Sequence, residues 1–352
     1  MLIRDAIIED YNQIRDLNLN HNLQILSKEQ WIKIWNKNPY FNFNDDIIGW
    51  VIEDNKKIKG FLGCFKKKYI DDEGNEFNSL ICHNWVVDID CRSLSLNLLN
   101  KFFSYEGFDF YINSTASFEV AKVWEAFGAQ KIPLNNIQSS LFIPINNEKV
   151  SKKIFSNKLL KFFLKKFFKY YTKFIILSGK KSPKYQVEII DKYDDEIKKF
   201  ENFNNNVSYL KEKINYDWYI DILSKDNHVN FLKIYKQEIL VGFCVLITPK
   251  MSNFKKTYIA HVQINNDYKF DKILYKIIIK EIFIYSKNLN SDLIELKYID
   301  ENIFSLFKKI LLFHRKYKHC SFYFYSHDKN TNLKLSKKNW MISMLSGDSF
   351  LI

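Results

Sequence analysis

The alternation of apolar and polar positions divides the chain into two halves of similar layout. In the first, residues 1–8 read as a strand and 10–19 as a helix. Ser27 with Gln30 three positions on forms a capping-box pattern ahead of a helix carrying Trp31, Ile32, Ile34 and Trp35. Residues 48–52 and 58–68 read as a hairpin turning at Asp54-Asn55, and 77–87 as the next strand after the polar loop 71–75. Helix 93–104, strand 108–113, helix 118–127 and strand 139–145 complete the set. This order predicts an α/β fold with a mixed sheet.

The second half repeats the order. Residues 185–190 read as a strand, 193–202 and 208–223 as helices, and 230–235 with 239–247 as a hairpin around Lys236-Gln237. Strand 256–264, helix 271–285, strand 292–299, helix 302–312 and strand 321–326 follow. Residue identities support a duplication. Gly60-Phe61 in the first hairpin matches Gly242-Phe243 in the second. The run from Asn84 to Arg92 aligns without gaps on that from His261 to Lys269, with Asp90 over Asp267 and Arg92 over Lys269.

Two segments resemble the GNAT N-acetyltransferase superfamily. Val87-Asp88-Ile89-Asp90-Cys91-Arg92-Ser93-Leu94-Ser95-Leu96-Asn97-Leu98-Leu99 is similar to its V-D-P-x-x-R-G-x-G-I-G-x-x-L-L segment. Asn113, Ala116 and Val123-Trp124-Glu125-Ala126-Phe127-Gly128-Ala129 are similar to its N-x-x-A…L-Y-E-K-F-G-F segment. The resemblance covers residues 1–145 well and 185–326 loosely. It implies two fused GNAT-like domains, 1–148 and 185–335, joined by a connector over 149–184 and followed by a tail, 336–352, that docks on the body. It also implies an acyl-CoA co-substrate. Arg92, Ser93 and Ser95 would hold its pyrophosphate at a helix N-terminus, with Val87 and Asn97 as further cofactor-binding residues, and Asn113 would either bond its pantetheine arm or cap the following helix. The family's glycines are here Ser93, Ser95 and Asn97, which loosens that fit. Trp124 stands where the family often has a tyrosine acid, and its helical spacing reads as core.

Acylation of an amine by a thioester needs a base and an oxyanion donor. The central strand ends in Cys82-His83-Asn84-Trp85-Val86-Val87, and strict alternation would put His83, Trp85 and Val87 on one face. Histidine titrates near neutrality, so His83 is the candidate base, against the alternative of a buried, hydrogen-bonded strand histidine. Asn84 is a candidate to orient the acceptor, and His261 is the matching catalytic candidate of the second half. The tandem resemblance points to enzymes that acylate amino sugars on nucleotide diphosphates: an N-acyltransferase acting on a dTDP- or UDP-linked dideoxy amino sugar for surface polysaccharide. The alternatives are a catalytically silent scaffold or a tRNA-dependent peptidoglycan transferase.

Composition changes this picture little. The five cysteines, Cys64, Cys82, Cys91, Cys244 and Cys320, lack metal-site spacing, so neither a metal site nor a disulfide framework is expected. No charged-then-apolar leader opens the sequence, which points to the cytoplasm. The net charge of +13 is local: residues 149–187 hold twelve lysines and no acid, leaving about +1 elsewhere, so nucleic acid is not an expected partner. Lys158, Lys161, Lys165, Lys169 and Lys173 recur at helical spacing among Leu160, Phe163, Phe167, Phe168, Tyr171 and Phe174. This predicts a basic amphipathic helix. It serves either as an interdomain connector with its apolar face packed and its lysines solvated, or as a peripheral contact to the inner membrane surface through 158–174.

Overall fold

A computed structural model describes residues 1–134, 138–154, 158–178, 184–203, 209–297, 301–310, 313–317 and 321–351. The first half runs β1 (Leu2–Asp5), α1 (Tyr11–Asn20), α2 (Lys28–Asn36), β2 (Gly49–Asp54), β3 (Lys57–Ile70), β4 (Glu76–Val87), α3 (Ser95–Phe103), β5 (Phe110–Ala116), α4 (Phe118–Ala126), β6 (Gln130–Lys131) and β7 (Ser139–Pro144). Helices α5 (Asn147–Ile154) and α6 (Lys158–Ser178) follow. The second half runs β8 (Gln186–Ile190), α7 (Asp195–Phe203), β9 (Tyr209–Glu212), α8 (Tyr216–Leu223), β10 (Asn227–Lys236), β11 (Ile239–Pro249), β12 (Lys256–Ile264), α9 (Lys272–Asn288), β13 (Leu293–Lys297), α10 (Glu301–Ile310), β14 (Phe313–Lys316) and β15 (Ser321–Tyr325). Helix α11 (Lys329–Lys337) and strand β16 (Asn339–Met341) lead into the tail.

Local chemistry sets these boundaries. Ser27 Oγ accepts the Gln30 amide while Gln30 Oε1 accepts the Ser27 amide at 3.2 Å, closing the expected capping box on α2. The β2–β3 turn places Asn55 and Lys56 at positive φ, and the β10–β11 turn does the same with Gln237 and Glu238, as a tight hairpin requires.

Two mixed sheets result, in the orders β1-β2-β3-β4-β5-β15-β6 and β14-β7-β13-β12-β11-β10-β8, with β9 and β16 beside β3 in the first. The final strands are exchanged. Strand β7, expected to close the first set, pairs antiparallel with β13 in the second sheet, and β15 pairs with β5 in the first. The cause lies in which edge is open: once β4 and β5 diverge, β5 still presents a free edge, and Phe322 and Phe324 of β15 complete the core there.

The predicted helix 208–223 divides into β9 and α8. Its first described residues extend because they pair with β3, Glu212 opposite Tyr69, and with β16, which brings Glu212 to Lys67; residues 204–208 lie outside the described set. Cys320 and the end of the predicted strand 292–299 also lie outside it. The largest apolar cluster lies between the halves, joining Phe65 and Trp35 to Trp218, Phe231, Phe243 and the tail residue Phe350. The tail is buried at Trp340, Ile342, Leu345 and Phe350.

Candidate active site

The site originates in a failure of pairing. Strands β4 and β5 run parallel only as far as Ile81 opposite Ile112. Beyond that point β4 stays with β3, and β5 with β15, so the two splay apart. Among the described residues, the backbone of β4 facing the gap has no strand partner beyond Ile81, so this edge can meet a ligand. One extra residue enters β4 here: Gly63 pairs with His83, but Phe61 pairs with Val86. Asn84 takes the bulge conformation at φ 52°, a left-handed position that asparagine tolerates better than most residues.

The bulge breaks the alternation assumed from sequence. His83 packs beside Phe65, with ring centroids 5.9 Å apart, on the face that also buries Ile81 and Val86. Trp85 and Val87 join Cys82 on the opposite face. His83, Trp85 and Val87 therefore do not share a face, because one inserted residue inverts every side chain after it.

The splay opens a cleft of about 420 Å³ lined by His83, Asn84, Trp85, Asn113, Thr115, Asn18, Gln24, Trp31 and the tail residues Asp348 and Leu351, among others. His83 is 8% exposed, and its Nδ1 lies 3.5 Å from Asp348 Oδ2, close enough to feel the charge but too far for a formed hydrogen bond. Asp348 is fixed from the other side. Its amide donates to Ser114 Oγ at 2.8 Å, Ser114 Oγ donates to Oδ1, and Thr115 Oγ1 donates to Oδ1 at 3.2 Å. Gly347 permits this approach. It sits at φ 63°, and a Cβ there would fall 2.2 Å from Ser114 Oγ. Asn113 is buried and accepts the Thr115 amide at 3.1 Å; the cap of α4 is Ser117.

The cleft continues through Leu23, Trp85 and Val120 into an open groove of about 610 Å³ lined also by His21, Val87, Arg92, Ser95 and Glu119. Of the residues expected to bind the cofactor, Val87, Arg92 and Ser95 line this groove, while Ser93 and Asn97 are exposed and do not. Lacking the glycines, residues 89–94 wind into a tight turn that consumes some amides, as when Cys91 donates to the Asp88 carbonyl at 3.0 Å. Asp90 pairs with Lys59 at 3.3 Å, and among the described residues Arg92 has no salt-bridge partner. Its guanidinium stands at the groove beside the start of α3, a setting that suits phosphate.

The second half has its own splay. Strands β12 and β13 part after Ile259 and Leu296, and Ala260 is the extra residue of a matching bulge. His261 lines a separate cavity of about 60 Å³ with Glu201, Lys211, Glu212 and Gln263. The structure thus does not bring His83 and His261 together. His261 is pushed down to about 4 by burial, and neither ring nitrogen makes a well-formed hydrogen bond. Burial pushes Glu201 up to about 7, opposed by the Tyr193 hydroxyl that donates to it at 2.7 Å. The tail runs between the two cavities: Met344 donates to the Ala260 carbonyl at 2.9 Å, Ser343 and Ser346 line the second cavity, and Asp348 lines the first.

No family model matches the sequence, and no curated protein matches it either. Solved structures do. The chain is similar to Saccharomyces cerevisiae N-myristoyltransferase with bound myristoyl-CoA, at TM-score 0.57 and 11% identity over 92% of this chain and 78% of that one. It is similar to a GCN5-related N-acetyltransferase from Anabaena variabilis, at TM-score 0.56 and 9% identity over 95% and 74%. A tandem GNAT protein from the clavulanic acid biosynthesis pathway superposes at TM-score 0.56 and 7% identity, over 92% of this chain and 98% of that one. The fold is that of a tandem GNAT protein, with two GNAT-like domains in one chain.

Proposed function

We propose that this protein is an acyl-CoA-dependent N-acyltransferase whose acceptor is the amino group of a dideoxy amino sugar linked to dTDP or UDP, on the way to a surface polysaccharide. The reading is carried by the continuity between the Arg92 groove and the cleft that holds His83 and Asp348. A fold-level likeness to proteins that include one with bound myristoyl-CoA supports the donor class. The cleft's own chemistry supports the acceptor class. Carboxamides of Asn18, Gln24, Asn84 and Asn113 and the hydroxyl of Thr115 offer neutral donors and acceptors, and Trp31 and Trp85 offer flat apolar surface, a mixture that suits a hydroxylated ring.

In this reading Arg92 and the first turn of α3 hold the donor's phosphates, and the divergence of β4 from β5 admits its pantetheine arm. The acceptor amine attacks the thioester carbonyl carbon; the C–N bond forms, the C–S bond breaks, and the sulfur leaves as the thiolate. His83 takes the proton released by the amine, directly or through a water, Asp348 steadies the resulting imidazolium, and the proton then passes to the thiolate, which departs as the thiol. A backbone amide of β4, where the strand parts from β5, would donate to the developing oxyanion. We assign the reaction to the cytoplasm. Separately, among the described residues no helix is long and apolar enough to cross a membrane.

Incubation with acetyl-CoA and longer acyl-CoAs, each with a panel of dTDP- and UDP-amino sugars, tests the proposal. Thiol release coupled to an acyl mass gain on a sugar nucleotide is expected. Acyl transfer to none of them, with acyl-CoA bound, would overturn the acceptor; no acyl-CoA binding would overturn the donor.

A further inference from the structure

Helix α6 buries only part of its apolar surface. Its inner side is a narrow stripe: Phe168 and Tyr171 are buried, with ring centroids 4.9 Å and 4.8 Å from Phe313 of β14, and Leu164 packs beside them. Among the side chains described, the large apolar residues outside that stripe are exposed, Phe167 with one edge toward Phe313 at 5.9 Å between ring centroids. Phe163 is 66% exposed, Tyr170 70% and Phe174 64%, and Phe162, Phe167 and Leu177 are exposed with them. Positions 163, 167, 170, 174 and 177 alternate steps of four and three, so they fall on one arc of the helix. The arc is bordered by Lys166, Lys169 and Lys173, all exposed, and the Lys166 ammonium lies 4.6 Å from the Phe162 ring centroid. Lys165, farther round, reaches Glu148 at 3.1 Å.

An apolar arc of this size on a solvated surface calls for an occupant. Its charge selects one. No acid lies between residues 149 and 187, so the helix itself brings only cations to the edge of the arc. A second copy docked through the same face would set one lysine row against another. An anionic bilayer supplies both complements at once: acyl chains for the aromatic arc and negative headgroups for the lysines. The 21-residue helix is about 30 Å long, enough to lie flat on such a surface.

We infer that α6 docks this protein on an anionic membrane surface, with Phe163, Phe167, Tyr170 and Phe174 inserted among the headgroups and Lys166, Lys169 and Lys173 paired to them. The inference does not depend on the acyl-transfer reading, since none of these residues lines the cleft or the groove.

The full chain is mixed with vesicles of phosphatidylcholine alone and with vesicles containing phosphatidylglycerol, and sedimented. Binding to the second kind, weakened by salt, is expected. Lys166→Gln, Lys169→Gln and Lys173→Gln should each weaken it, by roughly fivefold per lysine. A Phe163→Ser/Phe174→Ser variant should lose binding at every salt concentration. Both sets change exposed side chains, so the thermal unfolding midpoint and acyl-CoA affinity should stay as in the parent. Failure to bind either vesicle overturns the inference, as does vesicle binding that these variants leave unchanged. A dimer in solution that Phe163→Ser/Phe174→Ser dissociates would overturn it in favour of a second copy on the face.

Discussion

His83 lies in the first half of the sequence and Asp348 in its tail, yet His83 Nδ1 lies 3.5 Å from the Asp348 carboxylate inside the cleft of the first sheet. The tail brings the carboxylate there, and Ser114 and Thr115 of β5 hold it. A histidine beside a fixed carboxylate at a splayed strand is the arrangement expected of a general base.

His83→Ala should lower kcat by about 10²–10⁴ while leaving acyl-CoA affinity unchanged, because His83 lies in the cleft and not in the groove. Asp348→Asn should lower kcat by about tenfold or more, again without a change in acyl-CoA affinity. Steady-state kinetics paired with donor titrations separates the two effects. Loss of donor affinity in either variant would place the donor where we place the acceptor.

Gly347→Ala should act on the same carboxylate from outside the chemistry. The added methyl collides with Ser114, and the backbone is held at a positive φ, so about 1–3 kcal/mol of strain is expected. The tail should shift, Asp348 should leave His83, and kcat should fall toward that of Asp348→Asn. Unfolding curves and kcat for the two variants provide the check.

Lys67 is 2% exposed, with its ammonium 2.8 Å from Glu212 and 2.9 Å from the Leu345 carbonyl, inside a ring of Phe65, Trp218, Tyr219 and Phe350. It ties β3 to β9 and to the tail. Lys67→Met should destabilise by about 3–5 kcal/mol, because it leaves Glu212 charged and buried without its partner. Lys67→Met combined with Glu212→Gln should recover part of the loss. Denaturant unfolding of the three proteins measures both numbers.

Glu201 makes stability depend on pH. Burial raises it to about 7 from an unfolded value of 4.5, so between those values the native state binds more protons than the unfolded one. Stability from this group is therefore full below about pH 4.5 and is lost as pH rises to 7, by up to about 3 kcal/mol. His261, held near 4, opposes this over the lower part of the range: its contribution is full above about pH 6.5 and is lost as pH falls toward 4. Glu201→Gln should thus raise the unfolding temperature at pH 8 and leave it nearly unchanged at pH 5. Equal effects at both values would show that Glu201 ionises freely.

The sequence made the element order legible because amphipathic periods and turn residues are local properties. Ser27 with Gln30 needed no tertiary information, and the hairpin read around Lys236-Gln237 falls one residue later, at Gln237-Glu238. The strand exchange was not legible: β7 and β15 each satisfy either edge by pattern, and only the open edges of the assembled sheets decide. The bulge at Asn84 was hidden too, since one inserted residue leaves no compositional mark, and it reversed the facing of Trp85 and Val87. Lys67 sits in the run Lys66-Lys67-Lys68, which looks like a solvated edge; a period-2 reading of β3 would have flagged the middle lysine as inward. Asp348 was visible as a polar residue in an apolar tail, but its place beside His83 depends on where the tail threads.

The central claim is that the groove ending at Arg92 holds an acyl-CoA. Calorimetric titration of the purified protein with acetyl-CoA and longer acyl-CoAs, beside Arg92→Ala, tests it most directly. The account predicts saturable binding by the parent and affinity about ten- to a hundredfold lower in the variant, the worth of a charge-assisted phosphate contact, with the gap narrowing as salt rises. No binding of any acyl-CoA, or binding that Arg92→Ala leaves unchanged, would contradict it.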